Sequence, residues 1–399
     1  MAEGDIFDIC VIGGAGHVGL PLSIQFANHG KKVCVYDINP DSLTLIERGT
    51  MPFKEKGAEP LLKKALKEKS LSVSLNAEVI SLSRIVIMVV GTPVDEFLNP
   101  KTGDLFKILE KYLNFFKPGQ LLVLRSTVYP GTSRNIYNYL RNNGKDMGVA
   151  FCPERIAEGY AIEELVKLPQ IVSSFTEEGL KRTKELFSVL TKDLIELSPE
   201  EAELTKLFNN SWRYIKFAAA NQFFMIANDY GYDYARIHHA MTHNYPRAKD
   251  FPKPGFAAGP CLFKDTMQLS AFNNNNFILG HTAMLINEGL PNYIIKHLEG
   301  NRDISSLKVG ILGMAFKGNS DDKRDSLSYK LKKILEFKCA KVYCSDPYIA
   351  DEGFVSSSEL IDFSDVVILA APHSVYKSLD LKNKPLVDIW NFYNGGYKI

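Results

Sequence analysis

A strand, a glycine-rich turn and a helix follow one another between Asp8 and Asp37, and this run restricts the fold more than any other stretch of the chain. DICVIGG is a β-branched run that leads into Gly14-Ala15-Gly16-His17-Val18-Gly19, then the helical pattern LPLSIQFANHG and a second strand ending at Asp37. In such a unit Gly14 permits the tight turn, Gly16 lets the backbone approach a pyrophosphate, and Gly19 allows close packing of helix on strand. The helix N-terminus, with His17 and Val18, faces the phosphate charge. A lone GxGxxG is weak evidence, because glycine-rich turns also merely connect elements. Here the strand, loop and helix are all present, and Asp37 lies 23 residues after Gly14, where a carboxylate accepts hydrogen bonds from the adenosine ribose. That carboxylate would repel a 2′-phosphate, so the expected cofactor is NAD rather than NADP and the expected class is an oxidoreductase. A Rossmann-like fold without a cofactor is the alternative.

A chain of 399 residues is too long for one compact core, so two or three domains are expected. In the first part DICVIG, KKVCVYD, RIVIMVVGTP, QLLVLRST, GVAFCPE and PQIVS read as buried parallel strands alternating with helices, a doubly wound α/β domain over residues 1–197. From Ser198 to about Gly231 no glycine or proline follows Pro199, and Ser198 and Pro199 suit an N-cap and a first helical turn. Its apolar residues recur around much of the circumference, which predicts a buried spine helix and a subunit contact. Residues 198–304 form the helical middle domain and contain NYPRAKDFPKPGFAAGPC, too rich in proline and glycine for a regular element and of a length that favours a functional loop. From 305 to 399, LKVGILG, AKVYCSDP, SDVVILAAP and KPLVDIW predict a second, shorter Rossmann-like sheet. Its first turn, Gly310 to Lys317, lacks GxGxxG, yet Lys317 stands at a strand's carboxyl end, placed to meet a phosphate or hydroxyl.

Composition removes several classes. With 45% hydrophobic and 23% charged residues, neither disorder nor a disulfide scaffold is indicated. A net charge of +1 gives no electrostatic reason for nucleic acid or an anionic membrane as partner, although a local basic pocket for a phosphorylated substrate stays open. No apolar stretch reaches ~18 residues and the start lacks a secretory pattern, so a cytoplasmic protein is expected. Six scattered cysteines without a CxxC pair favour no metal site, and most should be small buried hydrophobes.

Four irregular passages hold candidate chemistry. Lys206 and Asn210 stand four apart, so on a helix they share a face and could donate to one oxygen; a solvated lysine near a capping asparagine is the plain alternative. Glu154 and Glu158 follow the carboxyl end of GVAFC, where open α/β sheets bind ligands, or are two surface carboxylates starting a helix. Cys261 follows a Gly-Pro turn, with Lys264 and Asp265 about one turn later. A helix starting there would favour the thiolate, whereas the majority fate of a cysteine is to be buried and structural. The fourth passage is Ser126-Thr127-Val128, after the strand LLVLR.

Taken together, GAGHVGLPLS, YDIN, VVGTP, STVYPGT, CPERIAEG, ELTKLFNN, PGFAAGPCLFKD and GMAFKGNSDDKRDS, in that order, resemble the nucleotide-sugar 6-dehydrogenases, the UDP-glucose, GDP-mannose and UDP-N-acetylhexosamine dehydrogenases. The resemblance implies two Rossmann-like domains joined by a long central helix, a homodimer, and a role in surface glycan synthesis. It implies oxidation of a sugar CH₂OH to a carboxylate with two NAD⁺ consumed in succession, Cys261 holding the intermediate as a thiohemiacetal and then a thioester. Lys206 and Asn210 would stabilise the oxyanion, Asp265 and Thr127 would hold the proton-relaying water, and Glu154 would serve thioester hydrolysis. Thr92, Glu158, Lys264 and Arg324 would lie near NAD, and Arg247, Phe256, Phe316 and Lys317 near the nucleotide sugar, Arg247 from the other subunit.

Two departures bear on the sugar. Where the family carries two glycines before the cysteine region, this chain has Ala257-Ala258-Gly259-Pro260, which narrows the space there. CPERIAEG is closer to the N-acetylhexosamine branch, while Lys264-Asp265 points to the glucose and mannose branches. A two-electron β-hydroxyacid dehydrogenase is one rival reading, although it needs neither Cys261 nor a second sheet. A non-catalytic sensor of NAD and nucleotide sugar is the other.

Overall fold

A computed structural model describes residues 7–92, 94–95, 101–257, 259, 261–301 and 303–397. Contacts divide the chain into two units, Met1–Phe208 and Asn209–Ile399. In the first, β1 (Phe7–Ile12), β2 (Val33–Tyr36), β3 (Leu71–Ser74), β4 (Ser83–Met88), β5 (Leu121–Leu124) and β6 (Gly148–Phe151) form one sheet in the order β3-β2-β1-β4-β5-β6. All its pairings are parallel, with Cys10 of β1 opposite Cys34 of β2 and Val86 of β4. The order reverses beside β1, which leaves a crevice at the carboxyl ends of β1 and β4 where a dinucleotide can lie.

Side chains alternate across this sheet and so build two cores. Ile9, Val11, Val35, Ile87 and Val123 pack on one face with α1 (Gly19–Asn28), α3 (Ala58–Lys67), α6 (Ala161–Lys167) and α7 (Glu177–Phe187). Cys10, Ile12, Val86, Leu122 and Phe151 pack on the other with α4 (Thr102–Tyr112) and α5 (Thr132–Asn142). A short α2 (Pro40–Glu47) follows β2, and Asn39 caps it by accepting from the amides of Asp41 and Ser42.

Three strand expectations need correction. PQIVS does form a strand, β7 (Gln170–Val172), but it pairs with β8 (Leu194–Glu196) in a separate two-stranded sheet. Neither β3 nor β8 was expected. LSVS is an edge strand and LIE a half-exposed one, so neither carries the continuous apolar run that burial on both faces imposes.

The spine helix, α8, runs from Pro199 to Asp229. Ser198 caps it as expected: its amide and Oγ both donate to Glu201 Oε2 at 2.8 Å, and the Glu201 amide donates back to Ser198 Oγ at 3.4 Å. Burial all round is not found. Phe208, Trp212, Phe223 and Ile226 are exposed, Trp212 by 57%, and Tyr230 just past the helix by 74%.

The second unit contains α9 (Tyr234–Thr242), the irregular passage 243–257, α10 (Leu262–Phe272) and α11 (Ile278–Asn301). The second sheet follows, with β9 (Lys308–Leu312), β10 (Lys341–Ser345), β11 (Val366–Leu369) and β12 (Leu386–Val387), all parallel in the order β10-β9-β11-β12. The connections run through α12 (Leu327–Lys338) and α13 (Ser357–Phe363). Val309 and Ile311 share a core with Phe224 of α8 and with Leu290, Ile294 and Leu298 of α11. Among the described residues, no helix is long and apolar enough to cross a membrane.

Candidate active site

In the first unit the glycines divide the work differently from the sequence reading. The left-handed residue is Gly13, at φ +75°, where a Cβ would lie 2.0 Å from the Val89 carbonyl oxygen. Gly14 therefore does not make the turn. It serves close packing, since a Cβ there would stand 2.7 Å from the Val11 carbonyl oxygen and 2.9 Å from Val35 Cγ1. Gly19 lets α1 rest on the turn, where a Cβ would meet the Gly13 oxygen at 2.6 Å. At Gly16, which is exposed, nothing is closer than 3.5 Å.

This arrangement fits NAD. Open space lies over Gly16, and no side chain caps α1 at Val18. The half-buried Asp37 is aimed by the turn, Oδ2 accepting from the Ala15 amide at 3.0 Å and Oδ1 from the Asn39 amide at 3.1 Å. His17 packs its ring on Phe53, 4.0 Å between centroids.

The carboxyl ends of β4 and β5 are tied together beside this crevice. Thr92 Oγ1 donates to the Thr127 carbonyl at 2.6 Å. Ser126 Oγ donates to the Val90 carbonyl at 2.7 Å and accepts from its amide at 2.8 Å.

Glu154 is buried and fully engaged. Its Oε2 accepts from Arg125 Nε at 3.1 Å and Nη2 at 2.6 Å, and its Oε1 from the amides of Arg155 at 2.7 Å and Ile156 at 3.1 Å. A carboxylate offers about four acceptor positions, so in this arrangement Glu154 anchors its loop instead of standing ready as a base. Arg125, which the sequence reading passed over, is itself fully buried and also donates to the Cys152 carbonyl and Gln170 Oε1. Its signal was an arginine closing the apolar run LLVL, since a guanidinium inside a two-sided sheet needs partners. The same loop is pinned through the Ala157 amide to Glu164 and the Gly159 amide to Glu55, which holds the half-buried Glu158 between them.

Glu203 was also missed. Buried on α8, it accepts from the Gly131 amide at 2.6 Å, the Ser133 amide at 2.8 Å and Ser133 Oγ at 2.6 Å, and so caps α5. Burial pushes its carboxyl above the usual range, partly offset by those Ser133 and Gly131 bonds. Lys206, half-buried, follows three residues later on the same helix, so the Glu203 anchor also fixes the rotation at which Lys206 is presented.

The cysteines separate clearly in the second unit. Cys261 is exposed at the N-cap of α10, and the Asp265 amide donates to its carbonyl at 2.9 Å. Burial pushes the thiols of Cys34 up to about 11 and of Cys152 and Cys344 up to about 12, and it raises Cys10 and Cys339 as well. The structural fate considered for Cys261 thus belongs to the others.

One turn into α10, Asp265 is completely buried. Its Oδ2 accepts from Asn210 Nδ2 at 2.5 Å, and the Lys264 ammonium faces its Oδ1 at 3.1 Å. Two residues before Cys261, Gly259 lies at φ +103°, and its amide donates to the Asp325 carbonyl at 3.4 Å. A Cβ at Gly259 would stand 2.6 Å from the Phe316 ring, and the Lys317 ammonium sits 5.4 Å from the centroid of that ring.

Other expected substrate residues are placed less directly. Phe256 is a core side chain, 5% exposed among Phe224, Leu290 and Ile294, so the expectation that its ring faces the sugar is corrected; only its backbone remains available. Arg247 is exposed and reaches Tyr245 Oη at 3.5 Å. Arg324 forms a fork on Asp322, with Nε at 2.9 Å from both carboxylate oxygens. Ala257 is buried, while Ala258 and Pro260 lie outside the described residues.

Known proteins match this plan along nearly the whole chain. Models of the UDP-glucose/GDP-mannose dehydrogenase family match as an NAD binding domain at residues 7–191, a central domain at 200–288 and a UDP binding domain at 310–395. A UDP-N-acetyl-D-mannosamine dehydrogenase of Methanococcus vannielii is 31% identical over 98% of this chain and 96% of its own. The structure of the UDP-D-ManNAc dehydrogenase from Pyrococcus horikoshii superposes with a TM-score of 0.87 at 29% identity, covering 93% of this chain and 91% of that one. That of the UDP-N-acetyl-mannosamine dehydrogenase from Staphylococcus aureus superposes at 0.85 and 26% identity, over 96% and 94%. With a dinucleotide crevice in one unit and an exposed cysteine near a buried aspartate and asparagine and a half-buried lysine in the other, this chain belongs to the UDP-glucose/GDP-mannose dehydrogenase family and is an NAD-dependent nucleotide-sugar dehydrogenase.

Proposed function

We propose that the chain oxidises the C6 hydroxymethyl of a UDP-N-acetylhexosamine to the uronic acid, in two NAD-dependent steps that share Cys261. The observation that carries the reading is Cys261, exposed at the start of α10, one turn from the buried Asn210–Asp265 pair and the half-buried Lys264. The sugar is supported by CPERIAEG and by relatives named for UDP-N-acetyl-mannosamine.

NAD supplies the hydride acceptor in each step. The chain's own groups do the rest. Asn210 donates to the developing oxyanion, together with Lys206 one turn earlier on α8. Asp265 holds the water that relays the proton from the C6 hydroxyl, a role shared with Thr127. The Cys261 thiolate adds to the aldehyde to give a thiohemiacetal; loss of a second hydride gives a thioester, and water cleaves it to the carboxylate and the thiolate. In sum, CH₂OH, two NAD⁺ and water become a carboxylate, two NADH and three protons. Glu154 enters hydrolysis by keeping its loop in place and, once its Arg125 pair opens, as a base. Gly14, Gly16, His17, Val18, Gly19, Asp37, Thr92, Thr127, Glu158, Lys264 and Arg324 are proposed to hold NAD. Phe316, Lys317, the Phe256 backbone and a partner subunit's copy of Arg247 are proposed to hold the nucleotide sugar.

The wider reading is a cytoplasmic homodimer in polysaccharide synthesis, with domains at 1–197, 198–304 and 305–399. An NADH-release assay over UDP-N-acetylmannosamine, UDP-N-acetylglucosamine, UDP-glucose and GDP-mannose tests it. The expected result is two NADH per N-acetylhexosamine, and none from Cys261→Ser. One NADH with an indifferent Cys261 overturns the mechanism, and a clear preference for UDP-glucose overturns the choice of sugar.

A further inference from the structure

The turn after β9 repeats four of the hydrogen bonds of the turn after β1. Gly13 and Gly313 are both left-handed, at φ +75° and +88°. Their amides donate to the last residues of β2 and β10, Tyr36 at 3.0 Å and Ser345 at 2.9 Å. The next residue in each case is an aspartate, and the Ala15 and Ala315 amides donate to Oδ2 of Asp37 and Asp346, each at 3.0 Å. The strands on the other side agree too. Val89 and Ala370 donate to the last carbonyls of β1 and β9, both at 2.8 Å, so that Thr92 and His373 occupy matching positions. By the same register Phe316 stands where the first unit has the open glycine, Gly16.

At these matched positions the two copies part. Asp37 is half-buried and keeps acceptor positions for a ribose. The Asp346 side chain is wholly buried and accepts five hydrogen bonds, from the amides of Met314, Ala315, Tyr348 and Ile349 and from His373 Nε2 at 3.0 Å. A carboxylate has about four acceptor positions, so Asp346 is saturated and has none for a hydroxyl. Burial raises its carboxyl, but the His373 ring and the backbone amides more than offset this and hold it below the usual range. The other nitrogen of His373, Nδ1, accepts from the Asn319 amide at 2.9 Å. Asn319 is left-handed at φ +59°, and its Oδ1 in turn accepts from the amide and Oγ of Ser374, each at 2.8 Å. The segment after β9 is thus fastened at both feet to one buried pair. Met314 and Ala315 are held by Asp346, Asn319 is held by His373, and Phe316 and Lys317 form the crest between them.

We infer that Asp346 and His373 are positioning residues for the nucleotide-sugar site: the aspartate that would have read a ribose in a dinucleotide unit here pairs with His373 and shapes the crest that seats Phe316 on Gly259 and presents Lys317. The inference rests on the reading of the second unit as the site for the nucleotide sugar. It also explains why one chain can hold two similar folds without NAD entering both, because a phenylalanine ring fills the place of Gly16 and no carboxylate is available to the ribose.

Calorimetric titration of the full-length protein with UDP and, separately, with NAD tests this. His373→Thr installs the residue of the first unit and removes both ring nitrogens. His373→Asn returns an acceptor near the place of Nδ1, and His373→Gln returns a donor near Nε2. The expected result for His373→Thr is UDP binding weakened about tenfold, with NAD within about twofold of the parent, and partial recovery of UDP binding in His373→Asn. If His373→Thr does not fold, His373→Asn against His373→Gln decides, with UDP binding better in the former. UDP affinity unchanged in these variants, or UDP and NAD weakened by the same factor, overturns the positioning role. Failure of the parent protein to bind UDP overturns the reading of the site itself.

Discussion

Six cysteines share one chain, and what distinguishes them is where folding leaves the sulfur. Cys10, Cys34, Cys152 and Cys344 are buried, where a thiolate has no solvent to stabilise it, while Cys261 stands at the exposed start of α10. Iodoacetamide on the native enzyme at pH 8 should therefore label about one thiol quickly, and peptide mass mapping should place it on Cys261. Labelling spread over several cysteines at similar rates would contradict the assignment. Cys261, Asn210 and Asp265 were legible in the sequence because each sits in a short contiguous motif whose spacing survives folding as helix geometry. Arg125 and Glu203 were not. Their partners lie 29 and 70 residues away, at Glu154 and Ser133, so the pairing exists only once the strands and α8 are in place. Phe256 failed for the opposite reason. Its motif is local, but the core that claims its ring is assembled from α8 and α11.

At the scale of elements, the link between α5 and α8 is the one most open to test. The Glu203 carboxylate meets three donors at the N-terminus of α5, a helix whose N-cap, Gly131, has no side chain to do so. Glu203→Ala should lower unfolding free energy by about 1–3 kcal/mol in urea, the cost of leaving buried donors unmet. Activity should fall beyond the stability loss, because Lys206 loses its anchor; a change of under about 0.5 kcal/mol would show the cap to be dispensable. The strands of both sheets were largely legible, since burial on both faces writes itself as β-branched runs. The edge strand β3 and the half-exposed β8 are held by backbone pairing that puts little demand on side chains, so their residues carry little trace of it.

For the whole molecule, the exposed apolar side chains along α8 set the expected assembly. Phe208, Trp212, Phe223 and Ile226, with Tyr230 just beyond the end, leave one long helix with more apolar surface than isolated surface residues would give. Light scattering should give twice the 44.7 kDa of one chain, and Trp212→Glu should shift the protein toward that single mass. A parent protein that stays monomeric at micromolar concentration would contradict this. If that dimer forms, the burial expected for α8 from its pattern belongs to the assembled protein, while in this chain alone part of its apolar surface is exposed. The exposure of Cys261 has a further effect at this scale. A sulfur open enough to meet an aldehyde is open to peroxide too, so under the proposed mechanism the first step of oxidative damage falls on the atom the chemistry needs, while the four buried thiols are shielded from it. Stress would then silence the enzyme by a single hit that a reductant reverses at the sulfenic stage, and a bound sugar would act as its shield.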